Sequence, residues 1–179
     1  MMKVIITPRD QILARFGNQL GALGEGEAKA VMKSALWRGG NEARTQIKRV
    51  LSKQTGIKYG MIDKAMQTKF REKPDLLYEL EVTGEETNLN LFGAIQRKKG
   101  ISARPWNQRR IFKGTFFAYG GKVFRRVGPA RWPIKPAYGP NIARELVKDE
   151  TRKFWETAVP PAIMKRVEHE IARRLRPKG

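Results

Sequence analysis

Residues 97–135 read RKKGISARPWNQRRIFKGTFFAYGGKVFRRVGPARWPIK, a stretch of 39 residues with twelve Lys and Arg and no Asp or Glu. Within it Ile111, Phe112, Phe116 and Phe117 lead through Ala118 and Tyr119 to Gly120-Gly121, and Val123, Phe124 and Val127 follow. Apolar residues on both sides of a Gly-Gly pair predict an antiparallel β-hairpin, because glycine reaches the positive φ that a tight primed turn requires. The phenylalanines stand among aliphatic residues, so Phe112, Phe116, Phe117 and Phe124 are expected to fill a core. Like charges at this density repel one another unless an outside polyanion or an acidic protein surface neutralises them. The stretch therefore predicts a sheet and an interface together. Arg97, Lys98, Lys99, Arg104, Arg109, Arg110, Arg125 and Arg126 are its contact candidates, toward DNA or toward protein. The plainer alternative is that these charges only keep copies of the chain apart in solution.

Immediately upstream the charge inverts: Glu72, Asp75, Glu79, Glu81, Glu85 and Glu86 stand against the single base Lys73. From Tyr78 the chain alternates, with Tyr78, Leu80 and Val82 on one side and Glu79 and Glu81 on the other, which predicts a strand with one wet, acidic face. Glu79, Glu81, Glu85 and Glu86 are thus candidates for self-association, one copy offering them to Arg109, Arg110 or Arg125 of the next. Such head-to-tail contacts close into rings when the rotation allows.

Farther upstream the period becomes helical. A helix is predicted over 57–70 with Ile62, Ala65, Met66 and Phe70 inward. A long one is predicted over 27–54, with Ala28, Val31, Met32, Ala35, Leu36, Ala43, Ile47, Val50 and Leu51 at helical spacing, and it is stopped by Gly56. Gly39-Gly40 in its middle implies a close backbone approach or a kink. A first helix over 8–20, capped by Thr7 and opened by Pro8, carries Ile12, Leu13, Phe16 and Leu20, and Val4–Ile6 reads as a short strand. Downstream, WPIKPAYGP (132–140) predicts a stiff turn in which Trp132 and Tyr138 bury their rings and Gly139 supplies unusual backbone angles. A helix over 141–159 follows, Pro160-Pro161 is expected to break or sharply kink it, and a last helix buries Met164, Val167, Ile171 and Leu175. The fold class is α+β: a single domain over 1–179, with a helical part at 8–70, an antiparallel sheet at 75–135 and C-terminal helices at 140–176.

With 179 residues and 40% hydrophobic content the chain can bury a real core. Its net charge of +20 directs attention to nucleic acid, a membrane surface or an acidic protein as partner. The absence of cysteine removes disulfides and thiolate metal sites. No apolar run approaches the ~18 residues of a membrane span. Residues 1–6 lack the length and cleavage site of a secretory leader, so use in a cytoplasm is expected.

Catalytic signals are sparse. The lone histidine, His169, stands between Glu168 and Glu170 on a helix, the setting of a surface residue. No phosphate-binding glycine motif is present, and Gly120-Gly121 serves a turn. A magnesium-dependent nuclease would have to be built on Glu79, Glu81, Glu85 and Glu86, where no orienting histidine or lysine motif accompanies the acids. The expectation is a protein that is not an enzyme, with no cofactor and no metal.

Four segments carry a likeness to a known family: GGNEARTQIKRVLSKQTGIK (39–58), ISARPWNQRRIFKGTFFA (101–118), GGKVFRRVGPARWPIKPAYGP (120–140) and VEHEIARRL (167–175). In their order they resemble the prophage minor tail protein Z family, over most of the chain from about residue 28. Trp132 stands where many relatives carry Leu. The resemblance implies a virion structural protein of a long-tailed phage, located in the tail or neck and in the host cytoplasm during assembly. It implies tail completion and head-tail joining as a homo-oligomer, a hexameric ring around the DNA channel. The implied neighbours are tail terminator or tail tube proteins, head-tail connector proteins and packaged double-stranded DNA, with no membrane. The alternative is a sequence-independent nucleic-acid-binding protein, ribosome-associated or nucleoid-like, which uses the same basic sheet.

Overall fold

The computed structural model of the chain describes residues 2–6, 10–72, 75–84 and 86–175, without the side chains of 4–6 and 10–15. The Thr7-Pro8 cap and Glu85 lie outside the described residues, as do the side chains of Ile12 and Leu13. Helix and strand are mixed in an α+β architecture with a long N-terminal helix and a long C-terminal helix. The chain divides into two compact units, one of 3–47, 66–81 and 152–179, the other of 1–2, 48–65 and 82–151.

The first unit holds β1 (Met2–Ile6), α1 (Asp10–Leu23), most of α2 (Glu25–Thr55), β2 (Met66–Arg71), β3 (Leu77–Val82) and most of α5 (Asp149–Leu175). Gly24, at φ 76°, separates α1 from α2, and its carbonyl accepts from the Ala28 amide at 2.9 Å, so the chain leaves one helix and enters the next within a residue. Glu25 and Glu27 in the first turn of α2 and Lys53 in its last match the helix dipole. Phe16 and Leu20 of α1 and Val31, Ala35, Leu36, Ala43 and Ile47 of α2 are buried. The two mid-helix glycines serve close approach: a Cβ on Gly39 would lie 2.4 Å from Ile163 Cδ1, and one on Gly40 would lie 2.6 Å from the Tyr78 ring. Tyr78 is fully buried, and its hydroxyl donates to Asn41 Oδ1 at 3.0 Å.

Three expectations are corrected in this unit. The helix read over 57–70 ends at Ala65, and Met66–Arg71 is strand. Gln67, Lys69 and Arg71 point to solvent while Met66 is buried and Thr68 and Phe70 are half-buried, a period of two that suits a strand pairing beside β3 in the order β1-β3-β2. β3 has no wet face: Glu79 and Glu81 are each only 3% exposed, because strands on both sides send long cationic side chains over them. Of the break or kink expected at the prolines, the break is absent, and α5 runs through Pro160 and Pro161. The carbonyls that lose donors belong to Glu156 and Thr157, both exposed, where water can serve them, while Val159 and Ile163 are buried beside the prolines and hold the helix in register. Val167 and Ile171 are buried as well, whereas Met164 is half-buried and Leu175 is exposed at the end of α5.

The second unit contains the end of α2, α3 (Tyr59–Ala65), β4 (Glu86–Asn88), β5 (Ile95–Arg97), β6 (Gly100–Ala103), β7 (Arg110–Lys113), β8 (Thr115–Ala118), β9 (Lys122–Arg126), β10 (Ile134–Pro136), β11 (Tyr138–Asn141) and α4 (Ile142–Leu146). Its strands form three antiparallel sets, β5-β6-β7, β10-β9-β8 and β11-β4. The aromatic run is therefore shared between two sheets, Ile111 and Phe112 pairing with Ser102 and Ile101, and Phe116 and Phe117 with Phe124 and Val123. Two side chains stitch the sets together. The Thr115 hydroxyl accepts from the Ile101 amide at 2.9 Å and donates to the Phe112 carbonyl. Asn88 receives the Val123 amide at 2.9 Å and donates to the Val123 carbonyl at 3.0 Å, completing with a side chain what a neighbouring strand would supply.

The rings differ from expectation. Val123 and Ile101 are fully buried, but Phe112, Phe116 and Phe124 are half-buried and Phe117 is exposed, because sheets this small bury their short aliphatic residues first. Trp132 and Tyr138 are exposed as well, at 55% and 47%. Gly139 is needed for closeness and not for its angles: a Cβ there would lie 2.8 Å from the buried Phe92 ring, and its φ is not positive. The helix read over 141–159 begins at Ile142, with Asn141 as its cap accepting from the Arg144 amide at 3.0 Å, and pauses at Val147-Lys148 before α5. Gln54 ties that pause to α2, donating to the carbonyl and carboxylate of the buried Glu145 and accepting from the amide and hydroxyl of Thr151.

Candidate polyanion interface

All eight basic candidates are exposed, and none has an ion-pair partner among the described residues. They fall into two groups. Arg104, Arg109 and Arg110 are held by neutral groups nearby: Arg104 Nε donates to the Asn107 carbonyl at 2.9 Å, Arg109 to Ser102 Oγ at 3.3 Å, and Arg110 to Gln108 Oε1. Lys98, Lys99, Arg125 and Arg126 instead line an open groove of about 650 Å³. Arg97 ends β5 beside them, across from Gly100.

Local geometry explains why these four converge. Lys98 and Lys99 form the two-residue turn between β5 and β6, opposite Gly114, whose amide donates to the Lys99 carbonyl at 3.3 Å. A Cβ on Gly100 would strike the Phe112 carbonyl at 2.1 Å, so glycine lets β6 and β7 meet there. Arg125 stands opposite Thr115 across β8 and β9, and the Arg126 guanidinium lies 5.6 Å from the centre of the Phe116 ring. Lys113, at the end of β7, lines the same groove; sequence reasoning left it off the candidate set. Its signal was present, since it alternates with Phe112 at the foot of the strand and precedes a glycine.

The acidic candidates are arranged otherwise. Lys3 Nζ lies 3.1 Å from an oxygen of Glu79 and 3.1 Å from one of Glu81, Lys69 reaches the other Glu81 oxygen at 2.7 Å, and Arg71 stands 3.6 Å from Glu79. Hydrogen bonding from Lys69, then from Lys3, holds the Glu81 carboxyl below its ordinary range despite burial, which acts in the opposite sense. The same contacts, Glu81 first and Glu79 next, push the Lys3 ammonium above its ordinary value. Glu86 is exposed and pairs with Arg144 at 3.1 Å. Among the described residues no three acidic or histidine side chains gather as metal ligands would. No protein-family model, curated protein or solved structure matches the chain.

His169 is exposed on α5. No described helix is long and apolar enough to cross a membrane. What the basic surface can do chemically is neutralise a polyanion: cations from two sheets face one concavity with no carboxylate among its lining residues.

Proposed function

We propose that this chain is a virion structural protein of a long-tailed phage that acts in tail completion and head-tail joining as a ring around the DNA channel. The observation that carries the proposal is the order of its parts. A long helix with a glycine pair is followed by basic sheets, then by WPIKPAYGP running directly into a capped helix, and finally by a C-terminal helix ending in VEHEIARRL. The uncompensated cations support it from a second direction, since a neck component has both DNA and other proteins to meet. With Glu79 and Glu81 covered by Lys3, Lys69 and Arg71, and Glu86 paired with Arg144, the acidic side of a head-to-tail contact in such a ring falls to other exposed residues such as Glu150 and Glu168.

The test is a phage lysate lacking the protein. Heads and tails are expected to accumulate unjoined, and wild-type protein added in trans is expected to restore joined particles that contain it. Full infectivity without the protein would overturn the reading. A second reading, a sequence-independent nucleic-acid-binding protein, is favoured by the half-exposed rings among the cations. It is supported instead if the protein is found on cellular nucleic acid and never in particles.

A further inference from the structure

The groove between the turn of β5 and β6 and the strand β9 is specific enough to name a ligand chemistry. We infer that it is a phosphodiester-backbone site, in which Lys98, Lys99, Lys113, Arg125 and Arg126 hold nucleic acid through its phosphates, without stacking on or reading its bases. The inference stands on the groove alone and does not need the virion reading.

Three features select this ligand. First, the five cations come from two sheets that Thr115 pins together through Ile101 and Phe112, so their backbones are fixed before any anion arrives. Second, the groove offers no free aromatic face. Its one ring, Phe116, has the Arg126 guanidinium lying over it, while the exposed Tyr119 and Trp132 pack against each other at 6.4 Å near the far turn of β8 and β9. Stacking on bases needs an open ring, and phosphate contact does not. Third, a second copy of the chain is a poor source of counter-charge. Each copy carries a net charge of +20, and Glu27, Glu42, Glu79, Glu81, Glu86 and Glu170 are already ion-paired internally.

Contacts of this kind have a measurable signature, because each neutralised phosphate releases condensed counterions. Five contacts to duplex DNA give a slope of log affinity against log salt near −4.5, a loss of about 500-fold between about 50 and 200 mM salt. The experiment is fluorescence anisotropy of the full-length protein with labelled duplexes of two unrelated sequences, with single strands of different base composition, and with polyglutamate. The two duplexes are expected to bind equally. Lys113→Ala with Arg126→Ala is expected to reduce the salt-dependent loss to about 40-fold over the same range, the slope falling by about 0.9 per contact removed. A control of equal charge, Lys153→Ala with Lys165→Ala on α5, is expected to keep the wild-type slope, and circular dichroism melting confirms that both variants fold. Equal changes in the two variants would reduce the effect to net charge and overturn the site. Tighter binding of polyglutamate than of duplex would overturn it in favour of an acidic protein partner. A strong preference for one base composition among the single strands would overturn the claim that bases are not read. Loss of head-tail joining without loss of duplex binding, or the reverse, separates the fate of this inference from that of the proposed function.

Discussion

Two regions of this molecule carry dense charge and resolve it in opposite ways. In β1-β3-β2 the cations Lys3, Lys69 and Arg71 surround two carboxylates on the central strand, and the counter-charge lies inside the chain. In β5-β6-β7 and β10-β9-β8 the cations outnumber any described anion, and those of the groove have only an aromatic ring or solvent beside them. The first arrangement is complete in the isolated chain. The second has no counter-charge among the described residues. The lesson is that a basic residue's meaning depends on where its counter-charge sits: substitution in the closed sheet should be felt in folding, and substitution in the open one in binding.

The largest effect should come from the packing that clamps β3 from behind. Gly40→Val places a branched side chain where even a Cβ would be 2.6 Å from the Tyr78 ring, and neither the ring nor α2 has space to yield. A cost of about 3 kcal/mol or more is expected, measured as a fall of several degrees in the melting temperature. An unchanged melting temperature would mean that β3 is not held against the helix.

Next in size is the charge set itself. Glu81→Lys puts a third cation between Lys3 and Lys69, so folding should suffer visibly, where an exposed acid would tolerate reversal. The pH dependence has two arms. The Glu81 carboxyl is depressed, so its contribution is present above the ordinary carboxylate range and is lost as pH falls through its lowered value. The Lys3 ammonium is raised, so its contribution is present below the ordinary lysine value and is lost as pH rises through the higher one. Glu81→Gln should flatten both arms in pH-dependent melts. Arms of unchanged steepness would place the counter-charge elsewhere.

Parts of this contrast were legible in the sequence. The helical stripe of α2 was readable because its apolar period survives a long stretch, and so were Phe16 and Leu20 of α1 and Val167 and Ile171 of α5. Gly39-Gly40 announced either a close approach or a kink, and only the packed neighbours Ile163 and Tyr78 decide for close approach. The alternation of Tyr78, Leu80 and Val82 gave β3 its buried face. What the sequence could not give was the other face. Glu79 and Glu81 look solvated until Lys3, Lys69 and Arg71, far apart in sequence, are brought over them by strand pairing. Residues 66–70 read as helix because a short amphipathic segment satisfies both periods, and pairing with β3 decides for the strand Met66–Arg71. The groove was half visible. Its cations stood out by their number, but the separation of Lys98, Lys99, Arg125 and Arg126 from Arg104, Arg109 and Arg110, and the membership of Lys113, depend on how β7 and β8 turn at Gly114 into different sheets.

A smaller effect is expected when the open region is probed for folding alone. Lys98→Ala with Arg125→Ala removes two exposed side chains that have no ion-pair partner among the described residues, and stability should stay within about 0.5 kcal/mol in denaturant titrations. A gain in stability at low salt would sharpen the comparison, since it would measure the repulsion among the groove's cations before the anion binds. A loss approaching that of Gly40→Val would erase the distinction between the two regions.

The smallest effect concerns how an open cation is held in place without an anion. Arg126 lies over the Phe116 ring at 5.6 Å, with no carboxylate beside it, so the ring quadrupole takes the role that Glu81 plays for Lys69 in the closed sheet. At an exposed site such a contact is worth about 0.5–1 kcal/mol. Single substitutions cannot isolate it, because Phe116→Leu also removes half-buried apolar surface and Arg126→Ala also relieves repulsion from Arg125. A double-mutant cycle over Arg126→Ala and Phe116→Leu cancels both side effects and leaves the pair's own coupling, expected at about 0.5 kcal/mol in denaturant melts. The cycle should be repeated with duplex DNA present. If the guanidinium stays on the ring while touching phosphate, the coupling persists in the complex; if it swings from ring to phosphate, the coupling vanishes on binding. A coupling of zero in the free protein would mean that Arg126 is not positioned by Phe116, and the open sheet would then have no internal substitute for the carboxylates that order the closed one.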